Sequence, residues 1–431
     1  MRKKSVYTID DPLGFKESLL SWGQEHDEVV WLDSNEHRDT YGSFDALLAL
    51  DGLTALITDS KNAFSDLKEY QSETKDWIFG YLSYDLKNDT ENLVSYNDDG
   101  LEFPDLYFFQ PKKIIRIIGN RVEFLYLNMV ANEIMEDFDT LNRSRVLNPG
   151  FIADKGVSIK MRIFKDEYFK NVDRILSHIH KGDIYEANFC QEFYAENVSL
   201  NPLHSYKALN AISKAPFSTY IKLFDKYILS ASPERYLKKI GNKIISQPIK
   251  GTAPRSANRT KDEELRINLK NDEKERSENI MIVDLVRNDL SKNAEKGSVT
   301  VEELCEVYSF EQVHQMISTI SAKIEDDVHA VDLIKDTFPM GSMTGAPKIS
   351  AMKIIEKLET FKRGVYSGAV GYFTSESDFD FNVVIRSILY NETKQYLSYS
   401  VGSAITAKSI PEKEYEECLV KAKAMRKVLE G

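Results

Sequence analysis

The stretch that most constrains this chain is Lys243-Ile-Ile-Ser-Gln-Pro-Ile249 followed by Lys250-Gly-Thr-Ala-Pro-Arg255. The first run is extended in character and ends on a lysine at the edge of a Gly-Thr turn. Gly251 allows the backbone to approach a ligand closely, so Lys250 is expected to project from a rigid edge. A lysine attacks carbon only when neutral, so a nucleophile here requires a pKa depressed by burial or by a neighbouring cation. Alone, such a lysine ordinarily reads as a solvated loop residue. Its weight comes from the rest of the sequence.

Residues 275–290 carry Ile282, Val283, Val286 and Leu290 at helical spacing, which predicts a helix with Glu275 and Glu278 on one face. A last helix is expected to start at a capping box, Ser409-Ile-Pro-Glu412, with Pro411 in its first turn, and to end in Lys421, Lys423, Arg426 and Lys427. On it Glu414 and Glu417 again stand three apart. A lone Glu-x-x-Glu is usually a solvated face, but two such helices could offer hard oxygen ligands to Mg²⁺. The turn Gly341-Ser-Met-Thr-Gly-Ala-Pro-Lys348 precedes a helix expected near Pro347, and its free amides suit an anion; the spacing is not that of a P-loop. The seven histidines show no zinc spacing, and no dinucleotide fingerprint is present.

The chain has 431 residues, long enough for two lobes or one composite domain. A net charge of −12 without a basic, aromatic-interleaved stripe argues against a nucleic-acid groove. Cys190, Cys305 and Cys418 are odd in number and far apart, so packing residues in a reducing cytosol are expected, not a disulfide framework. The basic start lacks an apolar core and no run of eighteen apolar residues occurs, so a cytoplasmic chain that is neither secreted nor membrane-spanning is expected. Strand-like runs at Val29–Leu32, Trp77–Leu82 and Lys113–Ile118 mark an amino-terminal segment, residues 1–155. A polar link, Asn148-Pro-Gly-Phe-Ile-Ala-Asp-Lys-Gly156, leads to the motif-bearing segment 156–431.

Five motifs then fix a resemblance. Pro248-Ile-Lys-Gly-Thr252, Glu278-Asn-Ile-Met-Ile-Val-Asp-Leu-Val-Arg-Asn-Asp-Leu290, Phe338-Pro-Met-Gly-Ser-Met-Thr-Gly-Ala-Pro-Lys348, Gly368-Ala-Val-Gly-Tyr372 and Glu414-Tyr-Glu-Glu-Cys418 occur in this order. In this the chain resembles the chorismate-utilising enzymes, which include anthranilate synthase component I, aminodeoxychorismate synthase component I, and isochorismate and salicylate synthases. The resemblance implies an α/β (α+β) fold, a large two-sheet, mostly antiparallel β-sandwich with helices outside. It also implies an amino-terminal segment that adds strands to the same sandwich and in relatives can hold a regulatory amino acid. Lysine in the PIKGT position is similar to the aminodeoxychorismate synthase branch.

The same resemblance implies site roles. Lys250 would be the nucleophile and Glu234, in Ser232-Pro-Glu-Arg235, the general acid that protonates the departing 4-hydroxyl. Glu278 and Glu417 would ligate Mg²⁺, with Glu275 and Glu414 behind them. Thr252, Thr344, Gly345, Tyr366, Arg386, Gly402 and Lys421 would meet the substrate, Arg386 from an alternating strand. The implied product is 4-amino-4-deoxychorismate, on the folate route to p-aminobenzoate. No glutamine-hydrolysing elbow is evident, so ammonia is expected from a glutamine amidotransferase partner or from solution, with a separate lyase downstream.

The chain departs from the pattern in three places: Glu186 stands where this branch usually has glutamine, Gly402-Ser-Ala-Ile405 replaces a triple-glycine run, and Gln315, with His314 before it, replaces a histidine. Anthranilate synthase or another chorismate enzyme is one alternative activity, and a non-catalytic chorismate-binding subunit is another.

Overall fold

The computed structural model describes all residues except 38, 92, 144–155, 312 and 326. Every ladder between its strands is antiparallel. Two long strands, Ala46–Thr58 and Leu106–Ile118, pair along their length and join two sheets. From Ala46–Thr58 the first sheet runs through Glu28–Asp33, Phe217–Leu223, Lys226–Ser232, Ser387–Asn391, Tyr396–Thr406 and Glu186–Ala195. From the start of Leu106–Ile118 the second runs through Ile78–Leu82, Ala369–Phe373, Phe379–Val383, Arg235–Ile240, Lys243–Gln247 and Val313–Lys323. The strand Ile249–Pro254, which carries Lys250, pairs with this last one. The expected two-sheet architecture is therefore present.

Three amino-terminal runs form strands as expected, and they enter both sheets: Glu28–Asp33 pairs with Phe217–Leu223, and Ile78–Leu82 with Ala369–Phe373. The link expected at 148–156 lies, apart from Gly156, outside the described residues. Strand alternation sorts the side chains between two apolar layers. Val30, Leu47 and Ala49 face the layer that also holds Phe108, Phe373 and Phe381 of the second sheet. Val29, Trp31, Leu48 and Leu50 face the opposite layer, which is closed by helices including Lys165–Lys181 and Pro411–Glu430 through Tyr168, Tyr415 and Met425.

Phe381 is fully buried, with ring contacts to Phe108, Phe373 and Phe379. Phe381→Ala is expected to cost about 3–5 kcal/mol, the usual penalty for an aromatic cavity, and urea unfolding would read it as a lower midpoint.

The helix expected over 275–290 spans Glu273–Ser291, and the Asp272 side chain caps it by accepting from the Glu275 amide at 3.0 Å. The last helix, Pro411–Glu430, starts one residue later than a serine cap requires. Its cap is Ile410, while Ser409 Oγ accepts from the Thr406 amide at 3.0 Å, so the expected capping box is not formed. All three cysteines are buried and free. Among the described residues no helix is long and apolar enough to cross a membrane.

Candidate active site

Two neighbouring crossings between the sheets set the site. The chain leaves the first sheet at Ser232 and enters the second at Arg235, with Glu234 in the connection. It returns from Val383 to Ser387 through Arg386. The crossings are tied together, since the Val383 amide donates to the Glu234 carbonyl at 3.0 Å and the Ala231 amide to the Arg386 carbonyl at 3.2 Å. Arg386 therefore sits in a bend with φ 54°, not on the alternating strand expected from its sequence. A strand that changes sheets needs a sharp reversal, and the left-handed conformation supplies it.

Lys250 and Glu234 converge at this point. The Lys250 side chain is 12 % exposed and its Nζ donates to Glu186 Oε1 at 3.1 Å. Gly251 beside it has φ 90°, and a Cβ there would lie 3.1 Å from Glu275 Oε2. Burial alone would lower the Lys250 ammonium pKa, but Glu186, Glu278 and Glu234 outweigh it and hold the lysine above its ordinary value. The depressed pKa expected for a nucleophile is thus not found, because the lysine is ringed by carboxylates.

Glu234 is 5 % exposed and accepts from Ser342 Oγ at 2.6 Å. Burial pushes its carboxyl up to about 7, against the pull of Ser342, Lys250 and Lys421. A carboxyl in that range can give up a proton near neutrality.

The two Glu-x-x-Glu helices face each other across Lys274, whose Nζ lies 3.6 Å from Glu278 Oε1 and 3.5 Å from Glu414 Oε1. Burial, incompletely offset by Lys250 and Lys274, pushes Glu278 up to about 7. Its Oε1 is buried without a hydrogen-bond partner. Burial also raises Glu275. For Glu417 burial works in the same direction, but Lys421, 2.7 Å away, holds it below the usual range. Glu414 is 2 % exposed and accepts from Ser403. Ser403 is one of the residues that replace the triple-glycine run, and its hydroxyl ties Glu414 to the strand beneath.

Among the described residues no group of three or more His, Cys, Asp or Glu closes on one point. The donors nevertheless suit a hard cation: Glu278 Oε1 has no hydrogen-bond partner, and the Lys274 ammonium 3.6 Å from it bridges the two helices where a cation would sit.

On the remaining side, the turn Gly341–Met343 leads through Thr344 to Gly345–Ala346, which pairs with Glu186 and Ala187, and a helix follows at Lys348–Leu358 as expected. Thr344 is fully buried and its hydroxyl turns back to the Met340 and Gly341 carbonyls. Burial lowers the Arg386 pKa, while Tyr366 and Glu417 act in the opposite sense. Lys421 donates to the Gly402 carbonyl at 2.8 Å. Gly402 lies within a strand, and its role is steric: a Cβ would come 2.6 Å from Cys190 Sγ. Tyr366 is buried against Cys190.

Thr252 is exposed beyond the bulge that follows Ile249 and shows no side-chain hydrogen bond with the cluster among the described residues. His314 points elsewhere, to Ser309 at 2.8 Å and Asp262 at 3.1 Å.

Ser342, Lys274 and Ser403 were not singled out by the sequence. The i, i+4 spacing of Lys274 and Glu278 was the available signal for one of them. A cavity of about 620 Å³ opens elsewhere, bordered by Asp33, Asp39, Phe217, Arg235 and Asp380, with Arg235 held by Asp39 and Asp380.

Residues 27–427 match the chorismate binding enzyme family. The chain is 33 % identical to the probable chloroplastic aminodeoxychorismate synthase of Oryza sativa subsp. japonica, covering 91 % of this chain and 48 % of that protein. It thus spans about half the length of the rice relative. It is 32 % identical to anthranilate synthase component 1 of Thermus thermophilus, covering 82 % of this chain and 77 % of that protein. The crystal structure of anthranilate synthase component I from Streptococcus pneumoniae superposes with a TM-score of 0.77 at 26 % identity, covering 91 % of this chain and 94 % of that one. The chain belongs to the chorismate binding enzyme family.

Proposed function

We propose that this chain is the chorismate-aminating component of an aminodeoxychorismate synthase, forming 4-amino-4-deoxychorismate from chorismate and ammonia. The observation that carries the reading is Lys250, a lysine buried beside Glu186 and coupled to a second carboxyl, Glu234, that titrates near neutrality. Overall identity does not select the activity, since relatives named for either amination match at nearly equal levels. Lys250 supports amination at C4, because a side-chain amine offers a covalent route to the ring.

In this reading Lys250 loses a proton and attacks C2 of the ring while Glu234 protonates the leaving 4-hydroxyl. Ammonia then forms the bond at C4, and the bond between C2 and the lysine breaks. Arg386, Lys421 and the turn at Thr344 and Gly345 stand as carboxylate-binding groups, with Tyr366 and Gly402 completing the pocket wall. Glu278 and Glu417 would hold Mg²⁺, with Glu275 and Glu414 behind them; when bound, the ion supplies positive charge for a substrate carboxylate. A glutamine amidotransferase subunit would supply ammonia in the cell, and a lyase would convert the product to p-aminobenzoate.

Chorismate consumption should stop on chelation and return with Mg²⁺, and Glu278→Gln should weaken that restoration at least about tenfold in required Mg²⁺; full activity in excess chelator would remove the metal from the account. The test of the activity itself is chromatography of chorismate, Mg²⁺ and ammonium with the chain, with and without an aminodeoxychorismate lyase. p-Aminobenzoate that appears only with the lyase is the expected result. Anthranilate or isochorismate would overturn the assignment.

A further inference from the structure

Glu359 and Arg363 stand just past the end of the helix Lys348–Leu358 and form a buried ion pair, with Nε donating to Glu359 Oε2 at 2.8 Å and Nη2 to Oε1 at 2.6 Å. Arg363 is 2 % exposed. Its remaining donors go to two backbone carbonyls, Met343 at 2.7 Å from Nη1 and Asn188 at 2.8 Å from Nη2, and more weakly to Ser367 Oγ at 3.5 Å. Glu359 Oε1 also accepts from the Cys190 amide at 2.9 Å. A buried ion pair is a poor source of net stability compared with an apolar pair of the same size; what its fixed fork supplies is geometry.

That fork holds the turn beside Glu234. Met343 directly follows Ser342, whose hydroxyl donates to Glu234 Oε1 at 2.6 Å. The turn is joined to the strand Glu186–Ala195 by the short pairing of Gly345 and Ala346 with Ala187 and Glu186, and by the Asn188 amide on the Thr344 carbonyl at 2.8 Å. Arg363 adds a clamp: one guanidinium grips the turn at Met343 and the strand at Asn188. The guanidinium carbon sits 4.4 Å over the Tyr84 ring, which leaves the fork little room to move.

We propose that Arg363 is the positioning residue of the general acid: by holding the Met343 carbonyl against the strand at Asn188, it aims Ser342 Oγ at Glu234. The inference rests on Glu234 acting as the acid of the proposed reaction. Among the described residues the hydrogen bonds of the Arg363 side chain go to Glu359, Met343, Asn188 and Ser367, none to Glu234, so the effect passes through the turn. A donor aimed at Oε1 stabilises the ionised carboxylate and opposes the burial that raises it. A turn released at Met343 loses that aim, and Glu234 then keeps its proton to higher pH.

The test is the pH dependence of kcat/KM for chorismate, with Mg²⁺ and saturating ammonium, in the full chain as wild type, Arg363→Lys, Ser342→Ala and the double variant. Lysine keeps the positive charge but cannot fork, so the grip on Met343 and Asn188 is lost while long-range attraction stays. Lys250 and Lys421, the charged side chains that pull on Glu234, are unchanged in every variant. Arg363→Lys should move the alkaline limb up by about half a pH unit or more, Ser342→Ala by about one, and the double variant no further than Ser342→Ala alone. A merely structural role lowers the melting temperature and kcat without moving the limb, and that result overturns the inference; so does a double variant whose shift is the sum of the two. Glu359→Gln is the milder variant, keeping the size of the fork's partner but not its charge. If Arg363→Lys does not fold, a Glu359→Gln limb that stays within about 0.2 pH units of wild type overturns the inference equally, and a larger upward move supports it. Glu234→Gln separates the two claims. A limb that persists there sinks the acid reading and the inference with it; a limb that vanishes there but stays in place in Arg363→Lys sinks the positioning role alone.

Discussion

Lys250→Ala is expected to lower formation of 4-amino-4-deoxychorismate by about a thousand-fold or more, because it removes the group that makes and breaks the bond at C2. Chorismate should still bind, since Arg386 and Lys421 remain, so the loss should fall on kcat. The substitution also leaves Glu186 buried with neither oxygen paired. Some loss of thermal stability is therefore expected, and rates should be compared well below the lower of the two melting temperatures. Retention of more than about a tenth of the wild-type rate would remove Lys250 from the chemistry. The surrounding carboxylates hold the lysine above its ordinary pKa, and one of them is placed to take its proton when it attacks.

The second large effect belongs to Glu234. Its carboxyl is pushed up to about 7 by burial, and as a general acid it works only when protonated. The sign follows directly: kcat/KM should be level below about pH 7 on account of this group and fall tenfold per unit above it. Glu234→Gln keeps the shape and the hydrogen bond from Ser342 but carries no labile proton, so it should lower kcat by about 10²–10⁴-fold and remove that alkaline limb. Ser342→Ala tests the environment separately. Losing a donor to the ionised form should raise the Glu234 pKa and move the limb to higher pH, with much of the rate retained.

Much of this site could be read from the chain because its motifs are local. The Pro248–Arg255 stretch announces a strand ending in a lysine, and the spacing of Glu275, Glu278, Glu414 and Glu417 announces two helix faces; both are found. The strand-like run Val29–Leu32 is likewise a strand, and its side chains alternate between the two apolar layers.

What escaped is non-local. Glu186 and Lys250 lie 64 residues apart, and nothing in either neighbourhood reveals that they meet. The pKa of Lys250 depends on three carboxyl groups from three other parts of the chain, so a local expectation of a depressed pKa had the sign wrong. Arg386 was expected on an alternating strand because Val383, Val384 and Ile385 look like one; the change of sheet at that point, invisible in the residues, bends it instead. The serine of the apparent capping box at Ser409 turns back to Thr406 and Ala404, a competition between cap and turn that spacing cannot settle.

The most direct test of the covalent route is peptide-mapped mass spectrometry of the chain mixed with chorismate and Mg²⁺ in ammonium-free buffer and quenched rapidly. The account predicts a mass increase on Lys250 equal to chorismate less one water, absent from Lys250→Ala and discharged when ammonium is added before the quench. An unmodified Lys250 in a sample that forms 4-amino-4-deoxychorismate at full rate once ammonium is supplied would contradict it.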